Sequence, residues 1–294
     1  MNATSKIARV SVHGGHSGQF CHHAHDSLEA VVRAYIDAGY TWVGITEHMP
    51  PLDDTNRYPD EAADGLSAES LQKRFIAYFE ECRRLQTQFA NTIRIFTAFE
   101  TETYPGAFDY VKQLIKETRP DYIVGSVHHV DGIGIDYNRS HWEQALAKAG
   151  GLDLLYCRYF DAQYQMIRAL EPAVVGHFDL IRIFDSNYME TLEIPEVRIR
   201  WVRNLALIKS LDLILDFNMR GFDKTAEQYP SMPILKEALR IGITVVPGDD
   251  SHGVSSVGRN YDRGVNLLAG LGHNCQWPKP RLYKWNQDLR SPGS

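Results

Sequence analysis

Residues 42–48, Trp42-Val43-Gly44-Ile45-Thr46-Glu47-His48, join a short apolar run to side chains able to bind metal. A brief apolar run of this kind suits a strand covered on both faces, as in a parallel sheet. Similar runs at Ala8–Val12, Ile93–Ala98, Tyr122–Gly125, Ala173–Gly176, Leu213–Phe217 and Thr244–Pro247, together with Trp42–Thr46, predict seven strands. Helical periodicities lie between them. Ser27 is placed to cap a helix whose Leu28, Val31, Val32, Tyr35 and Ile36 share one face, and Gly39 ends it. Ser67 is placed to cap a longer helix carrying Leu71, Phe75, Phe79, Cys82, Leu85 and Phe89. Phe108–Glu117, Trp142–Ala149, Leu154–Ala169, Pro195–Lys209 and Ile234–Ile241 complete the set, with Pro195 in a first turn where no amide hydrogen is required. Alternating strands and helices predict a closed or nearly closed α/β barrel. We expect one domain over residues 1–294, with its core at about 8–272 and an irregular tail at 278–294. The polar stretch 50–66 is expected to shape the mouth of a site.

The 294 residues fit one such barrel, and a hydrophobic fraction of 44% supplies a sizeable core. A net charge of −6 argues against a nucleic-acid partner, whose backbone is bound by basic surfaces. The N-terminal MNATSKIARVSVHGG lacks the apolar core of a secretory signal, and no run reaches the roughly 18 apolar residues of a membrane span. Cys21, Cys82, Cys157 and Cys275 are far apart and form no C-x-x-C pair, so they read as reduced thiols. These features predict a soluble, cytoplasmic chain with no membrane partner, and leave its oligomeric state open.

Histidine is the unusual feature, with 12 in the chain. Histidines and acids gather at or just beyond the predicted strand ends. The first strand runs into His13-Gly14-Gly15-His16 and then Cys21-His22-His23-Ala24-His25-Asp26; the second ends in Thr46-Glu47-His48. Later strands lead into Glu100-Thr101-Glu102, Ser126-Val127-His128-His129, His177-Phe178-Asp179 and Asp249-Asp250-Ser251-His252. In an α/β barrel such ends open on one face, where active sites are built. Imidazole combined with carboxylate suits zinc, manganese or iron, and Glu100 and Asp250 are natural bridging acids. Taken singly, each residue has a plainer reading. His48 or His177 reads equally as a hydrogen-bonded structural histidine, Glu100 and Glu102 as one buried and one solvated acid, and Asp250 as a turn cap. His129, His141 and His273 read as surface or supporting residues.

The ordered segments ITEHMPP, AFETETYPG, GSVHH, GHFDLIR and GDDSHGVSSVG resemble the successive motifs of the PHP (polymerase and histidinol phosphatase) family, within it the PHP-type histidinol phosphatases. The resemblance runs from His13 to about Gly272 and implies a distorted (β/α)7 barrel with three divalent metal ions, Zn, Mn or Fe. It matches His13 and His16 to the opening histidine pair, His23 to the C-x-H-A element, His48 to T-D/E-H and Glu100 to the bridging glutamate. It matches His128 to G-S-V-H, His177 to G-H-x-D, and Asp250 and His252 to the closing D-x-H. The implied grouping puts one ion among His13, His16, Glu100 and Asp250, a second among Glu100, His128 and His177, and a third among His23, His48 and His252. One departure stands out. The family pair is usually H-x-H, whereas His13 and His16 are three apart; Gly14-Gly15 is expected to absorb the extra residue in a bulge or left-handed turn. His22 competes with His23 for its role.

The activity so implied is hydrolysis of a phosphate monoester, L-histidinol phosphate to L-histidinol and phosphate, in histidine biosynthesis. Attack by a metal-bound hydroxide is expected, with Glu100, Asp250 and His252 as catalytic residues. The partner is then a small phosphorylated substrate. A planar guanidinium suits phosphate, and Arg158, Arg182 and Arg220 are the candidates to bind it. Other readings are a PHP phosphoesterase of another small ester or nucleotide and, in a different class, a non-catalytic metal-binding barrel.

Overall fold

The computed structural model describes residues 7–285. Its strands are β1 (Arg9–Ser11), β2 (Tyr40–His48), β3 (Arg94–Glu100), β4 (Tyr122–Gly125), a hairpin of β5 (His129–Val130) and β6 (Ile133–Gly134), β7 (Val174–Val175), β8 (Ile214–Asn218) and β9 (Thr244–Gly248). Each predicted strand falls on an observed one; the hairpin was not foreseen. Seven parallel strands form one sheet in the order β1-β2-β3-β4-β7-β8-β9. The order follows the chain, so each connection returns by a helix on the outside, and the sheet curls into a nearly closed barrel. Its two edges meet where Val12 N donates to Pro247 O (2.8 Å) and Asp250 N to His13 O (2.9 Å).

The helices are α1 (Leu28–Asp37), α2 (Pro59–Ala63), α3 (Ala68–Gln88), α4 (Ala107–Thr118), α5 (Arg139–Ala149), α6 (Leu152–Leu170), α7 (Tyr188–Glu193), α8 (Pro195–Ser210), α9 (Gly221–Lys224), α10 (Met232–Arg240) and α11 (Tyr261–Gly270). Ser27 and Ser67 cap α1 and α3, accepting from Ala30 N and Ser70 N. The polar stretch 50–66 is more ordered than its composition suggests. It holds α2, whose entry is fixed by Tyr58 N donating to the buried Glu61 carboxylate (2.9 Å). No helix of the described residues is long and apolar enough to cross a membrane.

Period-two alternation sorts the strand residues into two cores. Val43, Ile45, Ile95, Phe99, Ile123, Leu215 and Val245 pack outward against the helices. Val10, Trp42, Phe96, Ala98, Tyr122, Val124, Val174, Ile214 and Val246 fill the barrel. Carried to the C-terminal strand ends, the inward parity reaches His48, Glu100, Asp216 and Asn218. The apolar filling is therefore a floor beneath a polar cup.

Gly44 fixes how tightly that floor packs. A Cβ there would stand 1.6 Å from the Tyr122 hydroxyl, which donates to Val12 O (2.6 Å). Gly44→Ala must push the ring away and strand the hydroxyl, so we expect a loss of about 3 kcal/mol or more. Urea unfolding measures it; a loss below about 1 kcal/mol would show that the barrel interior yields more easily than its packing implies.

Candidate metal centre

The cup is assembled from loops that follow different strands. His13 and His16 leave β1, His48 ends β2, Glu100 ends β3, His128 follows β4, His177 follows β7, and Asp250 and His252 follow β9. Parallel register sets His48 beside Glu100 on neighbouring strands. Glu100 lies at the centre, 1% exposed. One of its oxygens is 2.8 Å from His177 Nε2 and 3.3 Å from His128 Nε2. The other is 3.4 Å from His13 Nε2, 3.4 Å from His48 Nδ1 and 4.0 Å from His16 Nε2. Asp250 Oδ1 stands 3.2 Å from His16 Nε2. His23, His48 and His252 form a separate triad with ligand atoms within 4.8 Å of one another, as do His13, His16 and Asp250. The Nε2 atoms of His128 and His177 face each other at 3.2 Å.

Whether these groups suit metal ions can be read from what they lack. His13 Nε2, both ring nitrogens of His16, His48 Nδ1 and His177 Nδ1 are buried with no hydrogen-bond partner among the described residues. Buried polar atoms are nearly always satisfied, so several orphaned imidazole nitrogens in one place are anomalous unless cations complete them. The buried carboxylates of Glu100, Glu102, Asp216 and Asp250 surround the same space. Buried anions also require compensating charge. The donor set fits divalent ions of the imidazole- and carboxylate-binding kind.

Protonation in the ion-free protein follows the same logic. Burial disfavours charge on Glu100, but the rings of His13, His128 and His48 outweigh it and hold the carboxyl well below the usual range. Burial would likewise lower His13 and His128. Glu100 and Asp250 beside His13, and Glu102 and Glu100 beside His128, instead push both rings well above an ordinary histidine. Burial likewise disfavours charge on His48, but Glu100 and Glu102 outweigh it and raise this ring of the triad; at the other two rings the balance reverses. Burial, then Arg220 and His16, holds His252 well below its usual value; burial with His48 and His16 does the same to His23. Burial lowers His16 to about 4. A neutral His252 suits a metal ligand better than a proton donor.

Two acids behind the rings were not assigned from the sequence. Asp216 accepts from His13 Nδ1 (2.9 Å) and Glu102 from His128 Nδ1 (2.9 Å). Each bond fixes the tautomer and turns Nε2 toward Glu100. Asp216 had a weak sequence signal: in Ile-Leu-Asp-Phe-Asn, Asp216 and Asn218 stand two apart on one parity at the end of an otherwise apolar strand. Asn218 bridges the assembly, its Nδ2 donating to Asp216 (3.0 Å) and Asp250 (3.3 Å). Glu102 is buried like Glu100, not solvated. His129, read as a surface or supporting residue, is half-buried with Nδ1 3.3 Å from Glu102.

Other expectations need correction. Gly14 and Gly15 adopt no left-handed conformation, and the register shift of β1 falls between Arg9 and Val10, ahead of the histidines. The glycines are required for room instead: a Cβ on Gly14 would lie 2.2 Å from Gly44 O, and one on Gly15 2.5 Å from Val31 Cγ1. His22 turns away to Asp64 (3.0 Å), which leaves His23 in the triad. Arg158 does not reach the mouth; it pairs with Asp131 and donates to Ala149 O (3.1 Å) on the outer surface. Arg182 is buried and committed to Asp179 (3.2 Å), Thr225 Oγ1 (3.0 Å) and Gln228 O (2.6 Å), with the Tyr229 ring against it. Its NH groups hold the chain after β8, and it does not line the cavity, so it is not placed to meet phosphate. Arg220 alone of the three lines the cavity over the cup, with its guanidinium 3.2 Å from Asp250 Oδ1 and against the His252 ring. That cavity holds about 300 Å³. Lys224 lines it beside Arg220, and Tyr58 and Asp60 come from the 50–66 stretch.

Comparison with known proteins agrees with this architecture. The PHP domain profile matches residues 14–220. A probable histidinol-phosphatase of Schizosaccharomyces pombe is 36% identical over 269 residues, spanning 90% of this chain and 87% of its own. The histidinol-phosphatase of Saccharomyces cerevisiae is 32% identical, with 85% of each chain covered. The crystal structure of a Listeria monocytogenes protein assigned as a histidinol phosphatase superposes with a TM-score of 0.77 at 26% identity, over 87% of this chain and 99% of that one. Histidinol phosphate phosphatase of Lactococcus lactis, solved with zinc, L-histidinol and phosphate, gives 0.70 at 19% identity over 95% of this chain and 100% of that one, a likeness of fold. From the profile and from relatives alike over most of its length, this chain belongs to the PHP family.

Proposed function

We propose that this chain hydrolyses L-histidinol phosphate to L-histidinol and phosphate. The observation that carries the reading is the converged cup of imidazoles and carboxylates beneath a small-molecule cavity, in a chain with 36% and 32% identity to proteins named histidinol-phosphatase. We take residues 8–272 as one catalytic unit holding three divalent ions (Zn, Mn or Fe) in the grouping described above. Its partner on this reading is a small phosphorylated substrate, neither nucleic acid nor membrane, and the setting is cytoplasmic.

When bound, such ions supply Lewis acidity toward phosphate and lower the pKa of water into the neutral range. The chain's own part is to hold and shape. Asp216 and Glu102 lock His13 and His128 in the orientation a ligand needs. Glu100 would serve ions on both sides of the cup, and Asp250 joins the seam of the barrel to the cup. Arg220 and Lys224 present cations to the phosphate at one wall of the cavity. Steady-state assay against L-histidinol phosphate and a panel of sugar, nucleotide and aryl phosphates tests the reading. Turnover of the others with none of L-histidinol phosphate rules it out.

Metal uptake offers a separate check. In the ion-free protein the carboxylates around His13 and His128 favour their protonated forms against burial, whereas a ligand nitrogen must be bare. Zinc titration at pH 7 is therefore expected to release protons, and affinity to weaken as pH falls. Calorimetry in two buffers of different ionisation enthalpy reads the release directly; identical apparent enthalpies would contradict it.

A further inference from the structure

The cavity is lined by charges of both signs. Arg220 and Lys224 lie at the side of Asp250 and His252, while Asp60 and Asp136 bring negative charge to a cavity that Tyr58 and Tyr137 also line. Asp60 is engaged in α2, where its Oδ1 accepts from Glu61 N (3.1 Å). Asp136 is not so engaged. Its Oδ1 is buried with no hydrogen-bond partner among the described residues. A buried carboxylate oxygen left bare is costly, and it is accounted for when a ligand supplies the donor.

The path of the chain brings this residue to the cavity. After His128 the β5–β6 hairpin turns the chain back, and Ile135 N donates to His128 O (2.8 Å), which sets Asp136 next to the cup. Its charge bears on Tyr58, Tyr229 and Lys224, three residues around the cavity wall.

Resting on the substrate reading above, we infer that Asp136 is the specificity residue that receives the ammonium group of the substrate. L-Histidinol phosphate carries its anion and its ammonium on adjacent carbons. A cavity that offers cations together with an unsatisfied carboxylate matches that adjacent pair of charges. The imidazole ring then lies among Leu180, Ile183 and Tyr229, which complete the wall. Phosphate esters without the amine would seat the anion equally well and leave Asp136 bare.

The test compares L-histidinol phosphate with its desamino analogue in the metal-loaded wild type and in D136N. The wild type is expected to favour the amine in kcat/KM by about 10- to 100-fold, the range of a charge-assisted hydrogen bond, and D136N to reduce that ratio to within about threefold of unity. Inhibition gives a second readout. The inhibition constant of L-histidinol rises in D136N relative to that of inorganic phosphate. A ratio unchanged by D136N, or equal weakening of both inhibitors, overturns the assignment. A wild type that prefers L-histidinol phosphate over p-nitrophenyl phosphate yet ignores the amine overturns it too, while leaving the substrate reading intact. No preference over p-nitrophenyl phosphate defeats both. The melting temperature of D136N establishes that the variant is folded.

Discussion

Glu100→Gln is expected to lower kcat/KM by about 1,000-fold or more and to remove bound metal, because the change neutralises the one carboxylate that touches both halves of the cup. Its two oxygens face His13, His48, His128 and His177 within 3.4 Å. The amide keeps the shape and loses the charge, so packing does not explain the deficit. Elemental analysis and single-turnover kinetics on the same preparation check it. Full metal content with full activity would remove Glu100 from the bridging role.

Arg220→Ala is expected to reduce kcat/KM by about 100-fold through the loss of one preorganised partner for phosphate charge, with the metal content retained. Arg220 is partly exposed at the cavity wall, where its guanidinium meets Asp250 and the His252 ring. Arg158→Ala serves as the matched control: it removes a surface ion pair on the outer face and is expected to leave turnover within about twofold. Equal losses in the two variants would place the phosphate elsewhere.

Much of this architecture was legible in the chain. The apolar runs gave the barrel strands because a strand buried on both faces has no freedom to carry solvated residues, and the histidines stood out by sitting at their ends. Ser27 and Ser67 announced their helices through caps. What escaped had physical reasons. The α2 turn is short and polar, so no periodicity marks it. Asp216 looks like a solvated acid until its neighbours across the barrel are known, and Glu102 shares a strand-like spacing with Glu100 that permits either face. Arg158 and Arg182 were misread because proximity to an element end says nothing about where a long side chain goes. Arg182 runs to buried Asp179, and Arg158 finds Asp131 in the partly exposed turn of the hairpin. Gly14-Gly15 showed that something unusual was needed; whether conformation or space was at stake appears only when Gly44 and Val31 stand against them.

The seam between β1 and β9 has a consequence for how the protein is made. His13 follows the first strand and Asp250 the last, and a backbone bond ties the two together. On the ribosome His13 and His16 emerge well before Asp250 and His252, which they meet in the cup. A nascent chain thus cannot close the cup until the segment after β9 has emerged. Closure of the cup is accordingly a late event that completes folding instead of seeding it.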